Sequence, residues 1–322
     1  MANLRSIKDR INSIKNTQKI TKAMKMVAAA KVKKAEVAVK SSRPFTLELY
    51  KMFSCVYQET LKNKCDKVQT KVAIENYSAL LEKRDVKNVA VAIVSSNKGL
   101  AGAYCANVVR YSLNLIEKCI NEGKNVKVYL IGQKAVPAIR SAQRRFNFEV
   151  KEVYASVLDG INSAGAYTVA SALAESYIAK EIDEIHLVTT RYKNMMTCIT
   201  ESWQLLPAVI DDKISDFRDE ELDKELNVEH DVHKIEPLSE YVPNLGAILS
   251  KVVPMYITNV IYQAFLEAQA SELSSRMTAM SAATNNAQDM ISSLTIEYNK
   301  ERQAKITQEL TEVISGAGAL KQ

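Results

Sequence analysis

Toward its C-terminal end the chain carries apolar or small residues at alternating spacings of four and three: Leu266, Ala270, Leu273, Met277, Met280, Thr284, Ala287, Ile291, Leu294 and Tyr298. A heptad seam held this long predicts a helix that pairs with another in a left-handed supercoil. No proline follows Pro254, and the next glycine is Gly316, so about sixty residues run without a breaker. At 1.5 Å per residue they make a helix of roughly 90 Å. A compact chain of this length has a radius of gyration of about 20 Å, so the helix must project. The register breaks after Tyr298. Ile306, Leu310, Val313 and Ala317 continue on a shifted seam, and the polar run Lys300-Glu301-Arg302-Gln303 occupies the stutter.

The N-terminal residues supply a matching helix. Leu4, Ile7, Ile11 and Ile14 repeat the three-four spacing, and Ile20, Met24 and Val27 continue it after a shift. Past Ala28-Ala29-Ala30, an apolar stripe resumes at Phe45, Leu49, Phe53 and Val56, with Pro44 expected to kink the helix. Two narrow seams at opposite ends of one chain are best buried by antiparallel pairing.

Between them the pattern changes. Val89–Val94 is a continuous apolar run, as expected of a strand buried on both faces. A helix over Ala103–Glu122 ends at Gly123. Asn125–Gly132 reads as a second strand, Gln133–Arg145 and residues 165–182 as helices, and Glu184–Thr190 and Cys198–Leu205 as further strands. This alternation argues for a small, mostly parallel, three-layer α/β domain. The expected organisation is an N-terminal coiled-coil helix over 1–60, an α/β domain over 61–205, an acidic linker over 206–247 containing Pro207, Pro237 and Pro243, and a C-terminal coiled-coil helix over 248–322.

Charge sharpens this division. Net charge is +6 overall, but residues 1–40 hold eleven Lys/Arg against Asp9 and Glu36, and residues 211–240 hold twelve Asp/Glu against four Lys/Arg. Surfaces so polarised are made for oppositely charged partners or for each other. The five cysteines (Cys55, Cys65, Cys105, Cys119, Cys198) form no CxxC pair, which argues for reduced thiols rather than a disulfide scaffold or zinc ribbon. No apolar stretch approaches the ~20 residues that cross a bilayer, and Met1-Ala2-Asn3-Leu4-Arg5 has no secretory core. A soluble chain, or one held at a membrane through partners, is expected.

Candidate chemistry is sparse. Ser95-Ser96-Asn97-Lys98-Gly99-Leu100-Ala101-Gly102 sits between a strand and a helix, where a dinucleotide loop would lie. It fits neither GxGxxG nor GxxxxGK[ST], and a tight turn is the better reading. His230 and His233, beside Glu229 and Asp231, fit a solvated acidic linker better than a metal site. His186 falls in a strand and reads as structural. No Ser, Cys or paired-carboxylate arrangement has a nucleophile or acid–base context, so neither catalysis nor a cofactor is expected. The basic first helix fits a solvated face, a dock for acidic protein loops, or an RNA-binding or scaffold coil. The last lacks the interleaved aromatics expected of it.

Four motifs carry a family resemblance. Leu4–Ile11 with Asn16-Thr17-Gln18-Lys19-Ile20-Thr21-Lys22-Ala23-Met24-Lys25-Met26-Val27-Ala28-Ala29 resembles the opening of the ATP synthase γ chain family. Ile306-Thr307-Gln308-Glu309-Leu310-Thr311-Glu312-Val313-Ile314-Ser315-Gly316-Ala317-Gly318-Ala319 is similar to its C-terminal signature. Ser271-Glu272, Ser275–Met280 and Ala282-Ala283-Thr284 add a third match, and Ser95-Ser96, Gly99-Leu100 and Gly102 a looser fourth.

The resemblance implies a non-catalytic, cofactor-free rotor subunit of an F-type ATP synthase: an antiparallel coiled coil from both chain ends, with a central Rossmann-like parallel-sheet domain. Its implied partners are the α and β subunits of the catalytic hexamer, the ε subunit and the membrane c-ring. Neither nucleic acid nor direct membrane insertion is implied, and the expected place is the cytoplasmic face of a bacterial inner membrane. Met24 is similar to the position facing an acidic lever of β, with Lys19, Lys22 and Lys25 complementing its charge. Arg302, Gln303 and Thr307 resemble a polar cluster gripping a β loop, and Arg276 a position energetically linked to the Met24 region. Val313–Leu320 resembles the apolar tip that turns within a collar. Ala101 stands where a cysteine is common in the family. The cysteine pair of photosynthetic relatives' regulatory insertion is absent, so thiol control is not expected.

Overall fold

The computed structural model describes residues 2–62, 80–81, 84–208 and 245–319. Most of the 206–247 linker, His230, His233, Glu229, Asp231 and Cys65 lie outside them. In chain order the elements are α1 (Ala2–Lys62), β1 (Asn88–Val94), α2 (Tyr104–Asn121), β2 (Asn125–Ile131), α3 (Val136–Gln143), β3 (Glu149–Tyr154), α4 (Ser163–Ile178), β4 (Glu184–Tyr192), β5 (Cys198–Leu206) and α5 (Leu245–Ala319). Two compact units result: Lys31–Ser275, which holds the sheet, and Met1–Ala30 with Arg276–Gln322.

In the larger unit the strands lie in the order β3-β2-β1-β4-β5. The first four run parallel and β5 closes the edge antiparallel to β4. The unbroken apolar run of β1 is explained by cover on both faces. Ala90, Ala92 and Val94 pack with Phe53, Leu173, Tyr177 and the α5 residues Ile257, Ile261 and Phe265. Val89, Val91 and Ile93 pack under α2 and α3, against Val108, Ile116 and Ile139. Alternation of period two thus divides one strand between two cores.

Strand β3 is absent from the sequence reading. Glu149-Val150-Lys151-Glu152 is charged and mostly exposed, because β3 is an edge strand whose outer side has no apolar cover. α3 is shorter than the expected 133–145: Gly132 leaves β2 at φ +103°, and helix begins only at Val136. α1 stays helical through Pro44 and α5 through Pro254. Leu49, Phe53 and Val56 are buried as expected, but Phe45 is exposed. Tyr256 stacks on Phe53 at 4.6 Å between centroids.

The helices meet the sheet through a buried polar seam as well as this apolar one. Arg43 Nη2 donates to Glu267 Oε1 at 2.9 Å and to the Tyr192 carbonyl at 2.9 Å. Glu267 Oε2 accepts the Tyr192 N–H at 2.8 Å, and Gln263 donates to Oε1 at 3.0 Å. Thr189 donates to the Ala264 carbonyl, Ser271 to that of Thr190 and Ser274 to that of Met195. A buried charge pair is tolerated when hydrogen bonds replace its lost hydration, and here Gln263 and both backbone polar groups of Tyr192 supply them.

Candidate partner-contact surface

The smaller unit pairs α1 with α5 antiparallel. Ile7 and Ile11 pack with Ile291, flanked by Ile14, Leu294 and Tyr298, so the heptad seam holds here. Toward the middle the seam becomes small and polar. Gln18 donates to Gln288 Oε1 at 2.8 Å, the hydroxyls of Thr21 and Thr284 lie 3.0 Å apart, and Lys25 Nζ donates to Ser281 at 2.9 Å. Ala28, Met280 and Ala287 are buried beside them.

This arrangement corrects the expected seam over Ile20, Met24 and Val27. Ile20 and Val27 are 60% and 57% exposed, and only Met24 is half-buried. Thr21 and Ala28 hold the inner positions instead. Close approach of two backbones favours small residues, and cross-helix hydrogen bonds satisfy the polar ones, so the seam runs one residue on from its most apolar members. The bulkier Ile20, Met26 and Val27 are left on the outside, among the lysines.

The sequence-predicted contact residues fall into three groups. Lys19 and Lys22 are exposed on α1; Lys25 is half-buried and engaged with Ser281; Met24 lies half-buried between them. Arg302, Gln303 and Thr307 are exposed on α5, with the Thr307 hydroxyl donating to the Gln303 carbonyl at 2.9 Å. Counted along the helix, Gln303 is about 22 Å from Gln288, the partner of Gln18. Arg276 is half-buried a few turns away in the opposite direction. Lys19, Lys22, Met24 and Lys25 thus share two turns of α1 and Gln303 and Thr307 one turn of α5, and no described contact joins the two groups. Ile306, Leu310, Val313 and Ile314 are exposed and form no inward seam among the described residues. Heptad counting assigns large aliphatics inward by default, so it places Ile20 and Val27 in a seam from which the fold excludes them.

The turn after β1 is held by its own side chains. Asn97 donates to the Ala155 carbonyl at 2.6 Å and accepts from Gln133 N–H, while Ser96 donates to the Lys98 carbonyl. A Cβ at Gly132 would stand 2.8 Å from Ser95 Oγ. Doubly wound sheets bind ligands at the carboxyl ends of the strands where the order reverses, and Asn97 ties the loop after β1 to those after β2 and β3 beside that point. Among the described residues no group of three His, Cys, Asp or Glu is arranged to hold a metal, and no helix is long and apolar enough to cross a membrane.

Fold and surface together define a class: an antiparallel two-helix coil whose strands flank a doubly wound α/β sheet in sequence, with a basic, partly apolar outer face. A family model described as ATP synthase matches residues 3–320. The chain is 36% identical over 337 residues to the ATP synthase gamma chain of Gloeobacter violaceus, covering 99% of this chain and all of that one. It is 35% identical to that of Thermosynechococcus vestitus and 33% to that of Desulforamulus reducens, each over both full lengths. In fold it is similar to a chain of the Euglena gracilis mitochondrial ATP synthase assembly of OSCP, F1 and c-ring, with a TM-score of 0.58, 18% identity and 99% and 95% of the two chains covered. The chain belongs to the ATP synthase γ chain family.

Proposed function

We propose that the chain is the central-stalk rotor of an F-type, proton-translocating ATP synthase. It couples rotation of the membrane c-ring to the conformational cycle of the catalytic β subunits and contributes no catalytic group itself. The observation that carries the reading is the outer face of α1, where Lys19, Ile20, Lys22 and Val27 are all exposed within three turns. Among the described residues no carboxylate pairs with either lysine. Cations beside exposed apolar side chains suit an acidic partner that buries the aliphatics and is steered by the charges. A turning surface of this kind favours each partner conformation in turn through differential contacts.

On this reading Lys19, Lys22, Met24 and Lys25 face the lever of β, with Lys25 held to its own coil by Ser281. Arg302, Gln303 and Thr307 form a second grip, and Arg276 acts on the first through the seam. The chain works as a helical shaft over 1–60 and 248–322, an α/β base over 61–205 that meets ε and the c-ring, and an acidic excursion over 206–247. Its place is the cytoplasmic face of a bacterial membrane, reached through its partners.

The test is recovery from native membranes, followed by charge reversal. The chain is expected in fixed stoichiometry with α and β subunits. Lys19→Glu with Lys22→Glu should leave that recovery intact while lowering ATP-driven proton pumping about tenfold, roughly 1.4 kcal/mol in rate terms. Recovery with RNA that is lost at high salt, or unchanged pumping in the double variant, would overturn the reading.

A further inference from the structure

Strand β4 outruns its neighbour. Its pairing with β1 ends at Ile93↔Val188, whereas the strand continues to Tyr192. Beyond Val188 no described strand takes the backbone groups on that side, and buried backbone groups left unpaired are costly. The two long helices supply the missing partners. The Tyr192 carbonyl accepts from Arg43 of α1, and its N–H donates to Glu267 of α5. The Thr190 carbonyl accepts from Ser271. Arg43 and Glu267 bond each other through both Nε (3.1 Å) and Nη2 (2.9 Å), so α1, α5 and β4 converge on one carboxylate.

We propose that this overhang is the joint through which torque passes between the α/β domain and the long helices, with Arg43 and Glu267 as positioning residues. The inference rests on the rotor reading above. Apolar packing is non-directional, so a helix lying on a sheet through aliphatic contacts alone can shift by small steps at little cost. Hydrogen bonds fail steeply with angle and distance, and those to charged groups are the strongest. Twisting either helix against β4 strains the Arg43–Glu267 pair and both polar groups of Tyr192 together. The side chains at the joint are buried: Arg43 is 9% exposed, and Glu267, Gln263 and Ser271 are 0%. Water therefore has little access to replace a strained bond. A buried ion pair adds little net stability over apolar residues of similar size, so its presence here is better explained by what it holds in register.

The experiment uses the whole synthase in vesicles, together with single-molecule rotation of its soluble part by a probe on the exposed face of α2. Arg43→Met with Glu267→Met keeps the volume and removes the directional bonds. The double variant is expected to assemble with α and β and to hydrolyse ATP. Angular variance of the probe at a catalytic pause should rise about two-fold, and protons pumped per ATP should fall. Thr189→Val with Ser271→Ala, which leaves the ion pair in place, should move both readouts in the same direction by less; it carries the test alone if the first variant does not assemble. Unchanged variance and pumping ratio in the assembled variants would overturn the joint. A wild-type complex that assembles but does not rotate would instead overturn the rotor reading.

Discussion

The hydroxyls of Thr21 and Thr284 meet at 3.0 Å across the paired helices, from positions 263 residues apart in the chain. Each also has a local acceptor, since Thr21 donates to the Gln18 carbonyl and Thr284 to that of Met280. Removing either hydroxyl therefore leaves no orphaned group. Thr21→Val and Thr284→Val should each change stability by less than about 1 kcal/mol, and the pair together should be neutral or stabilising. Thermal unfolding of the purified chain checks this; a loss above about 2 kcal/mol in the double variant would mean the polar contact is indispensable.

Arg43 and Glu267 behave differently, because each is buried with the other as its charge partner. Arg43→Ala leaves a buried carboxylate uncompensated and should cost about 3–5 kcal/mol, whereas Arg43→Met with Glu267→Met removes both charges and should recover part of that loss, the remainder reflecting the Tyr192 backbone groups left without partners. Chemical denaturation of the three proteins decides it. A single variant as stable as the double would show that water reaches Glu267.

Gly132 leaves β2 at φ +103°, and a methyl group there would press on Ser95 Oγ, Leu158 and the Ser96 amide. Gly132→Ala should destabilise the chain by about 2 kcal/mol or more, combining backbone strain with the clash. Gly123 also has a positive φ but faces open space, so Gly123→Ala should cost only the strain. Equal melting shifts for the two variants would remove the steric half of the argument.

Glu184 accepts a hydrogen bond from His186 Nε2 at 3.2 Å, and this contact holds its carboxyl below the usual range, against an opposing pull from burial. A depressed folded-state pKa means the contribution is full above the ordinary carboxylate value and is lost as pH falls through the folded one. Glu184→Gln should therefore flatten the acid limb of the stability curve below about pH 4.3 and leave its shape near neutrality unchanged. Denaturant midpoints measured from pH 7 to pH 3 test it; parallel curves for the two proteins would contradict the assignment.

Long-range periodicity made the two helices legible, and buried apolar runs made β1, β2 and β4 legible. What escaped had different physical causes. The inner side of β3 packs with one or two partly buried residues, Val150 and Val153, and its outer side must be charged to resist further strand pairing, so its sequence resembles a loop. Ile20 and Val27 escape because hydrophobicity alone cannot tell an inward seam position from an exposed one. Arg43 and Glu267 are 224 residues apart, and nothing local in either neighbourhood announces the other. A hint existed in Gln263, Glu267 and Ser271, spaced by four along an otherwise apolar stretch. Polar residues on the buried stripe of a helix need partners, and only the fold reveals where those partners come from. Of the residues that the family resemblance singles out, Lys19, Lys22, Arg302, Gln303 and Thr307 are exposed while Met24, Lys25 and Arg276 are half-buried, and exposure by itself assigns none of them a partner.

Ile7, Ile11 and Ile14 belong to α1, while Ile291 and Leu294, which pack with them, sit almost three hundred residues later. During translation at about 5–20 residues per second, the first helix waits tens of seconds for the last one to emerge. Throughout that interval its apolar stripe and its lysines are open to whatever is nearby. A coil closed between segments so far apart in the chain thus matures in one late step, and its quality control is a matter of guarding the earlier helix until the later one arrives.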